Sequence, residues 1–230
     1  MQYVADTSIF IDSNVMIRPL HSKFIKSASN ILESIPSQYT EIAILGRSNV
    51  GKSSFINKIL NAKLAKSSST PGKTRLINFF QTTWEIRGTN TNSTLGYAYK
   101  LPLVIIDLPG FGYAKVDKKQ RQQWDRNLTD FLQRRNSIKL FCHLIDSRHR
   151  DLNIDKQIRD FLDTISFGNA CQVLEIYTKS DKLAKNELRK LRLEGKLECQ
   201  SFKYDCKLLQ GIYRSIVVKS LGMDILLAKC

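Results

Sequence analysis

The sequence predicts an α/β fold in which a mostly parallel central sheet is flanked by helices. Short apolar runs of strand length alternate with segments of helical pattern, as in a parallel sheet covered on its faces. A glycine-containing loop stands directly between the first such run, at 42–45, and the first helical segment. Backbone amides at such a strand–loop–helix junction converge with the positive end of the helix dipole on an anion.

The first strand is expected at 41–45 and is followed by Gly46-Arg47-Ser48-Asn49-Val50-Gly51-Lys52-Ser53. This is the GxxxxGK[ST] pattern: its glycines let the backbone wrap a phosphate, Lys52 brings charge to the β- and γ-phosphates, and the Ser53 hydroxyl ligates Mg²⁺. The helix expected at 52–61 supplies the dipole. A small-residue loop, SSSTPGKTR at 67–75, then leads to a strand at 76–86. Within this loop Thr74, beside Gly72, Lys73, Arg75 and Leu76, is the candidate switch threonine, with Thr70 as its competitor. Its hydroxyl would reach Mg²⁺ only with a γ-phosphate in place.

Residues 88–100, GTNTNSTLGYAYK, read as an exposed hairpin tip inserted before a strand at 101–107. That strand ends in Asp107-Leu108-Pro109-Gly110, where a carboxylate can hold Mg²⁺ through water and the Gly110 amide can meet a γ-phosphate. Phe111 follows where many GTPases carry a water-orienting glutamine, so intrinsic hydrolysis is expected to be slow and Phe111 to pack beneath the switch. The helix at 118–134 lies within a basic segment, 115–139, placed to grip RNA phosphates or simply solvated. A strand at 139–146 leads to Arg148 and His149, which read as bracing residues or as surface contacts to RNA. His21 and His143 read as packed or exposed lone histidines.

After a helix at 154–165, the strand at 172–178 runs into Thr178-Lys179-Ser180-Asp181. This matches [NT]KxD: the Asp181 carboxylate accepts from the ring N–H and exocyclic amine of guanine, donors that adenine lacks. Such polar readout rejects a wrong ligand by about 10⁴-fold, and the Lys179 stem can lie across the base plane. A helix at 186–197, a strand at 201–204 and a helix at 208–221 complete the domain, 41–222. Residues 1–40 are expected to precede the first strand and drape over the sheet edge, and 223–230 form a tail.

The stretches GRSNVGKSSFIN at 46–57, STPGKTRLINFF at 69–80, DLPGFGYAKV at 107–116, LIDSRH at 144–149 and TKSDKL at 178–183 together resemble the EngB family (YihA/YsxC) of bacterial ribosome-assembly GTPases. FIKSA at 24–28 and EIA at 41–43 are similar to the family's lead-in. The resemblance implies the P-loop GTPase fold of the TRAFAC class, GTP and Mg²⁺ binding with Ser53, Thr74 and Asp107 as metal ligands, maturation of the large ribosomal subunit and a link to septation. It places a base-contacting loop at Tyr204, Asp205 and Cys206, where the family's usual serine pair is replaced, and marks 88–100 as longer than the usual hairpin. Lys52, Thr74 and Gly110 carry the hydrolysis in this reading. Asn49 is placed to help hold K⁺ against the phosphates, or else braces the loop.

The chain has 230 residues, with 36 Lys+Arg against 21 Asp+Glu, a formal net charge of +15. An excess of that size favours an anionic partner such as nucleic acid. Five cysteines without metal spacing, no secretory signal and no apolar run near the roughly 18 residues of a membrane span are expected of a cytoplasmic protein, taken as a monomer. Two rivals remain open: a metabolic P-loop kinase, against which Asp181 argues, and a septation switch acting on protein instead of RNA.

Overall fold

The computed structural model describes residues 15–66, 76–89, 96–111, 118–169, 171–200 and 206–220. Seven strands, β1 (Met16–Ala28), β2 (Thr40–Gly46), β3 (Ile77–Thr89), β4 (Gly96–Asp107), β5 (Ile138–Asp146), β6 (Gln172–Thr178) and β7 (Leu197–Cys199), form one sheet in the order β1-β3-β4-β2-β5-β6-β7. The ladders from β4 through β7 are parallel, and β1–β3 and β3–β4 are antiparallel. Among the described residues five α-helices accompany them: α1 (Lys52–Leu60), α2 (Lys118–Arg134), α3 (Asn153–Asn169), α4 (Lys185–Leu193) and α5 (Cys206–Ser220).

Side-chain alternation along the strands divides the core between the two faces of the sheet. Ile42 and Ile44 of β2, Leu103 and Ile105 of β4, and Leu140, Cys142 and Leu144 of β5 face α1 and α5, together with Trp84. Ala43, Leu45, Val104, Ile106 and Phe141 face α2 and α3, where Phe131, Leu132, Ile158 and Leu162 cover them. Strands β2 and β5 are therefore apolar nearly throughout, as strands covered on both faces must be.

Residues 1–40 do not simply precede the sheet. Residues 16–28 form its edge strand β1, with register breaks at Pro19/His21 and Phe24/Lys26. Its solvent-facing Arg18, Lys23 and Lys26 interrupt the apolar alternation, and bulges and lysines of this kind protect an edge from pairing with other chains. Helix α5 secures the strand: Ile17 N–H donates to Gln210 Oε1 at 2.9 Å, Gln210 Nε2 donates to the Ile17 carbonyl at 2.8 Å, and Arg214 Nη2 donates to the Val15 carbonyl at 2.7 Å.

The 88–100 segment lies within a β3–β4 hairpin whose ladder continues through Thr89↔Gly96, and residues 90–95 lie outside the described residues. The last described strand is β7 at 197–199, and the strand expected at 201–204 lies outside the described residues. The helix expected at 186–197 stops at Leu193 because Gly195 adopts the left-handed conformation (φ 65°), which ends helices readily.

A buried ion pair joins three segments beneath α2. Arg135 donates Nε to Glu41 Oε2 at 2.7 Å and Nη2 to Glu41 Oε1 at 2.6 Å, while Nη1 reaches Ser34 Oγ and Nη2 the Ile35 carbonyl. Its guanidinium also lies over the Phe79 and Phe131 rings, 5.2 and 5.4 Å from their centroids. Arg135 is thus withdrawn from the basic surface read at 115–139, and Arg134 pairs with Asp130.

Candidate nucleotide-binding site

The parallel strands β4, β2, β5 and β6 end at one edge of the sheet, so the loops that follow them share one crevice, the usual ligand position of open α/β sheets. The loop after β2 is shaped by its glycines. Gly46 has φ 152°, and a Cβ there would stand 2.6 Å from the Leu144 carbonyl oxygen. Gly51 (φ 106°) caps α1, and Asn49 takes a left-handed φ of 61°. The loop is tied to the segment after β4 by Ser48 N–H to the Phe111 carbonyl at 3.0 Å and Phe111 N–H to the Gly46 carbonyl at 3.1 Å.

Gly110 is held against the loop so closely that a Cβ would meet Lys52 Nζ at 3.1 Å and Ser48 N at 3.2 Å. Phe111 packs on Phe161, with centroids 6.5 Å apart, which agrees with its packing role. Leu108 N–H donates to the Ile44 carbonyl, so 107–110 follow the line of β2 toward the loop.

Lys52 and Asp107 form an electrostatic couple at the phosphate end. Burial pushes the Lys52 ammonium below its ordinary value while Asp107 opposes the shift. Burial pushes the Asp107 carboxyl up, opposed by Lys52 and by a hydrogen bond from Asn78. Asn78 Nδ2 donates to Asp107 Oδ2 at 3.4 Å, and Ser27 Oγ of β1 donates to Asn78 Oδ1 at 2.6 Å. Asp107 Oδ1 is buried with no hydrogen-bond partner among the described residues. That orphaned oxygen and the Ser53 hydroxyl, which donates to the Lys66 carbonyl at 3.2 Å and keeps its lone pairs, are hard oxygen donors of the kind Mg²⁺ takes alongside phosphate and water.

The Thr178–Asp181 turn is wired to the Gly46–Ser53 loop. Thr178 Oγ1 donates to the Val50 carbonyl at 2.7 Å and lies 3.2 Å from the Ile145 carbonyl. Lys179, at a left-handed φ of 57°, donates Nζ to the Asn49 carbonyl at 2.6 Å and to Asp146 Oδ2 at 2.9 Å. Ser180 is fully buried and begins a 3₁₀ turn, Ser180–Lys182, that carries Asp181, whose carboxylate lies 3.6 Å from Lys182 Nζ.

Gly46 to Ser53, Asp107 to Gly110 and Thr178 to Asp181 are thus gathered at one edge. Gly72, Lys73, Thr74 and Arg75, as well as Tyr204 and Asp205, lie outside the described residues. Leu76 stands exposed before β3, and Cys206 begins α5. Arg148 is a bracing residue: its Nε and Nη2 donate to the two Asp146 oxygens at 3.0 and 2.8 Å.

Sequence reasoning missed Asp146, although its place at the end of an apolar strand parallels that of Asp107. It also missed a buried polar line beneath the loop. Arg47 turns away from the crevice, its Nε 3.3 Å from Asp155 Oδ2. His143 is fully buried, with Asp155 and Glu175 carboxylate oxygens 3.8 Å from its two ring nitrogens, and Arg159 pairs with Glu175.

The family model described as 50S ribosome-binding GTPase matches residues 41–179. The probable GTP-binding protein EngB of Helicobacter hepaticus is 50% identical over 176 residues, covering 76% of this chain and 74% of that protein. Its counterpart in Campylobacter lari is 47% identical over 207 residues, 89% of this chain and 98% of the relative. A crystal structure of a probable GTP-binding protein EngB superposes with a TM-score of 0.51 at 19% identity, over 77% of this chain and 97% of that one, and so shares the fold. Phosphate loop, Asp107 turn and guanine motif on a P-loop GTPase fold, with these relatives, lead to one conclusion: the chain belongs to the EngB family of GTP-binding proteins and is a GTPase.

Proposed function

We propose that this GTPase is a Mg²⁺-dependent, monomeric switch that acts in the cytoplasm on the assembly of the large ribosomal subunit. The observation that carries the reading is the convergence of the phosphate loop, Asp107 and the Thr178–Asp181 motif on one crevice of a chain with a net charge of +15. Bound Mg²⁺ would neutralise charge on the β- and γ-phosphates. Ser53 and Asp107 would hold it, Lys52 would meet the phosphate oxygens, and the Gly110 amide and Thr74 hydroxyl would sense the γ-phosphate. Asp181 selects guanine. Phe111 offers no group to orient water, so intrinsic turnover is slow, and a K⁺ beside Asn49 would supply part of the missing charge stabilisation.

Helix α2 follows the γ-phosphate-sensing segment by a few residues, and exposed Arg126 on it would meet RNA phosphates. Large-subunit particles should therefore retain more protein in sedimentation with a GTP analogue than with GDP. Arg126→Glu should lower this retention while leaving GTP affinity intact, and Asp181→Asn should shift nucleotide preference toward xanthosine. Equal sedimentation in both nucleotide states would overturn the ribosomal reading. Retention on division proteins alone would favour the septation switch.

A further inference from the structure

We propose that Asp146 is a positioning residue for guanine-nucleotide binding, acting through Lys179. The inference rests on the nucleotide site proposed above and adds a residue to it. Asp146 ends β5, which lies between β2 and β6, so its carboxylate sits between the phosphate loop and the base-reading turn. The group is 5% exposed, and among the described residues it accepts four hydrogen bonds. Oδ2 accepts from Lys179 Nζ at 2.9 Å and Arg148 Nη2 at 2.8 Å, and Oδ1 accepts from Arg148 Nε at 3.0 Å and the Arg148 N–H at 3.2 Å. A carboxylate so fully engaged has no room for a ligand, and its effect must pass through what it holds.

What it holds is a lysine fixed at both ends. The backbone of Lys179 is in the left-handed region, and its ammonium is shared between Asp146 and the Asn49 carbonyl. The aliphatic stem is thereby stretched from the turn that carries Asp181 to the phosphate loop, forming a fixed wall on which a purine plane can lie. A free lysine carries substantial rotamer entropy that a ligand would have to remove on binding. Arg148, bidentate on the same carboxylate, orients it toward Lys179. The charge arithmetic suits the position: one desolvated carboxylate faces two cations, and both of its oxygens are needed.

Asp146→Asn keeps the size but leaves one acceptor oxygen and turns an NH₂ group toward donors. The expected result is a fall in GDP affinity of about 10- to 100-fold, the range for a hydrogen bond to a charged group. Because the lysine stem meets the base plane and not its edge, the same factor is expected for GDP, IDP and XDP. Asp181→Asn, in contrast, changes their ratio.

A double-mutant cycle separates positioning from a general structural role. In a Lys179→Met background, which keeps the stem and removes the ammonium, Asp146→Asn should change the GDP Kd by less than about twofold. Arg148→Gln, which leaves the carboxylate in place, provides a second variant if Asp146→Asn fails to fold. It should weaken GDP to a lesser degree, and that effect too should vanish with Lys179→Met. Titration calorimetry with GDP, IDP and XDP reads all of these. Additive losses in the cycle, or a base-dependent loss, would overturn the proposal while leaving the nucleotide site standing. A parent protein that binds no GDP would instead overturn the site itself.

Discussion

Thr178→Val isolates a single hydroxyl. Valine keeps the branched shape that suits the end of β6 and removes only the O–H that donates to the Val50 carbonyl at 2.7 Å. Thr178 is 4% exposed and Val50 1% exposed, so water cannot readily take over the lost bond. Leaving a buried carbonyl unsatisfied costs about 1–3 kcal/mol, and this degree of burial places the loss near 2 kcal/mol. For a domain of this size about 2–4 °C of Tm accompanies each kcal/mol, so nucleotide-free protein should melt about 4–8 °C lower. The bond lies wholly within the protein between two buried residues, so its loss falls on folding, and the GDP Kd should stay within about threefold of the parent. Circular dichroism melts and GDP titration read the two quantities separately. A nucleotide-free melt within about 1 °C of the parent, or a Kd loss that accounts for the whole effect, would refute the reasoning.

Gly46→Ala should abolish GDP binding and destabilise the domain by about 2–4 kcal/mol, because its Cβ would lie 2.6 Å from a backbone oxygen of β5 and 3.1 Å from Val50 Cγ1. Guanidinium unfolding and GDP titration check both parts. Arg135→Met strands Glu41, which is 0% exposed, without its counter-charge, and should cost about 3–5 kcal/mol in guanidinium unfolding. The double replacement Glu41→Gln with Arg135→Met should recover part of that loss, since the buried charge is then gone as well.

The phosphate loop, the Asp107 turn and the guanine motif were legible because phosphate and base chemistry fix residue types at short spacings next to a strand. Asp146 was not, since its partner Lys179 is 33 positions away and the two meet only through β5–β6 pairing. The Ser27–Asn78–Asp107 relay was hidden for the same reason, drawing one residue from each of three strands. Edge strand β1 escaped detection because its exposed positions mix Met16, Phe24 and Ile25 with Arg18, Lys23 and Lys26 and two register breaks shift its phase, which erases the alternation that marks a half-buried strand. The early stop of α4 was written in Gly195, a helix-ending residue whose message a basic, helix-favouring neighbourhood obscured.

The bonds between β1 and α5 bear on how the protein is made. Ile17 leaves the ribosome early, yet both its backbone groups await Gln210, 193 positions later. Its strand partner on β3, Ile86, also emerges 69 residues after it. The β1–α5 clamp therefore cannot close until α5 has been made, even though the β1–β3 ladder around Ser27 lies wholly in the first half of the chain. The same adjacency makes the fold a natural substrate for circular permutation: a short linker joining the regions of residues 15 and 214 would turn that late, distant contact into a local one.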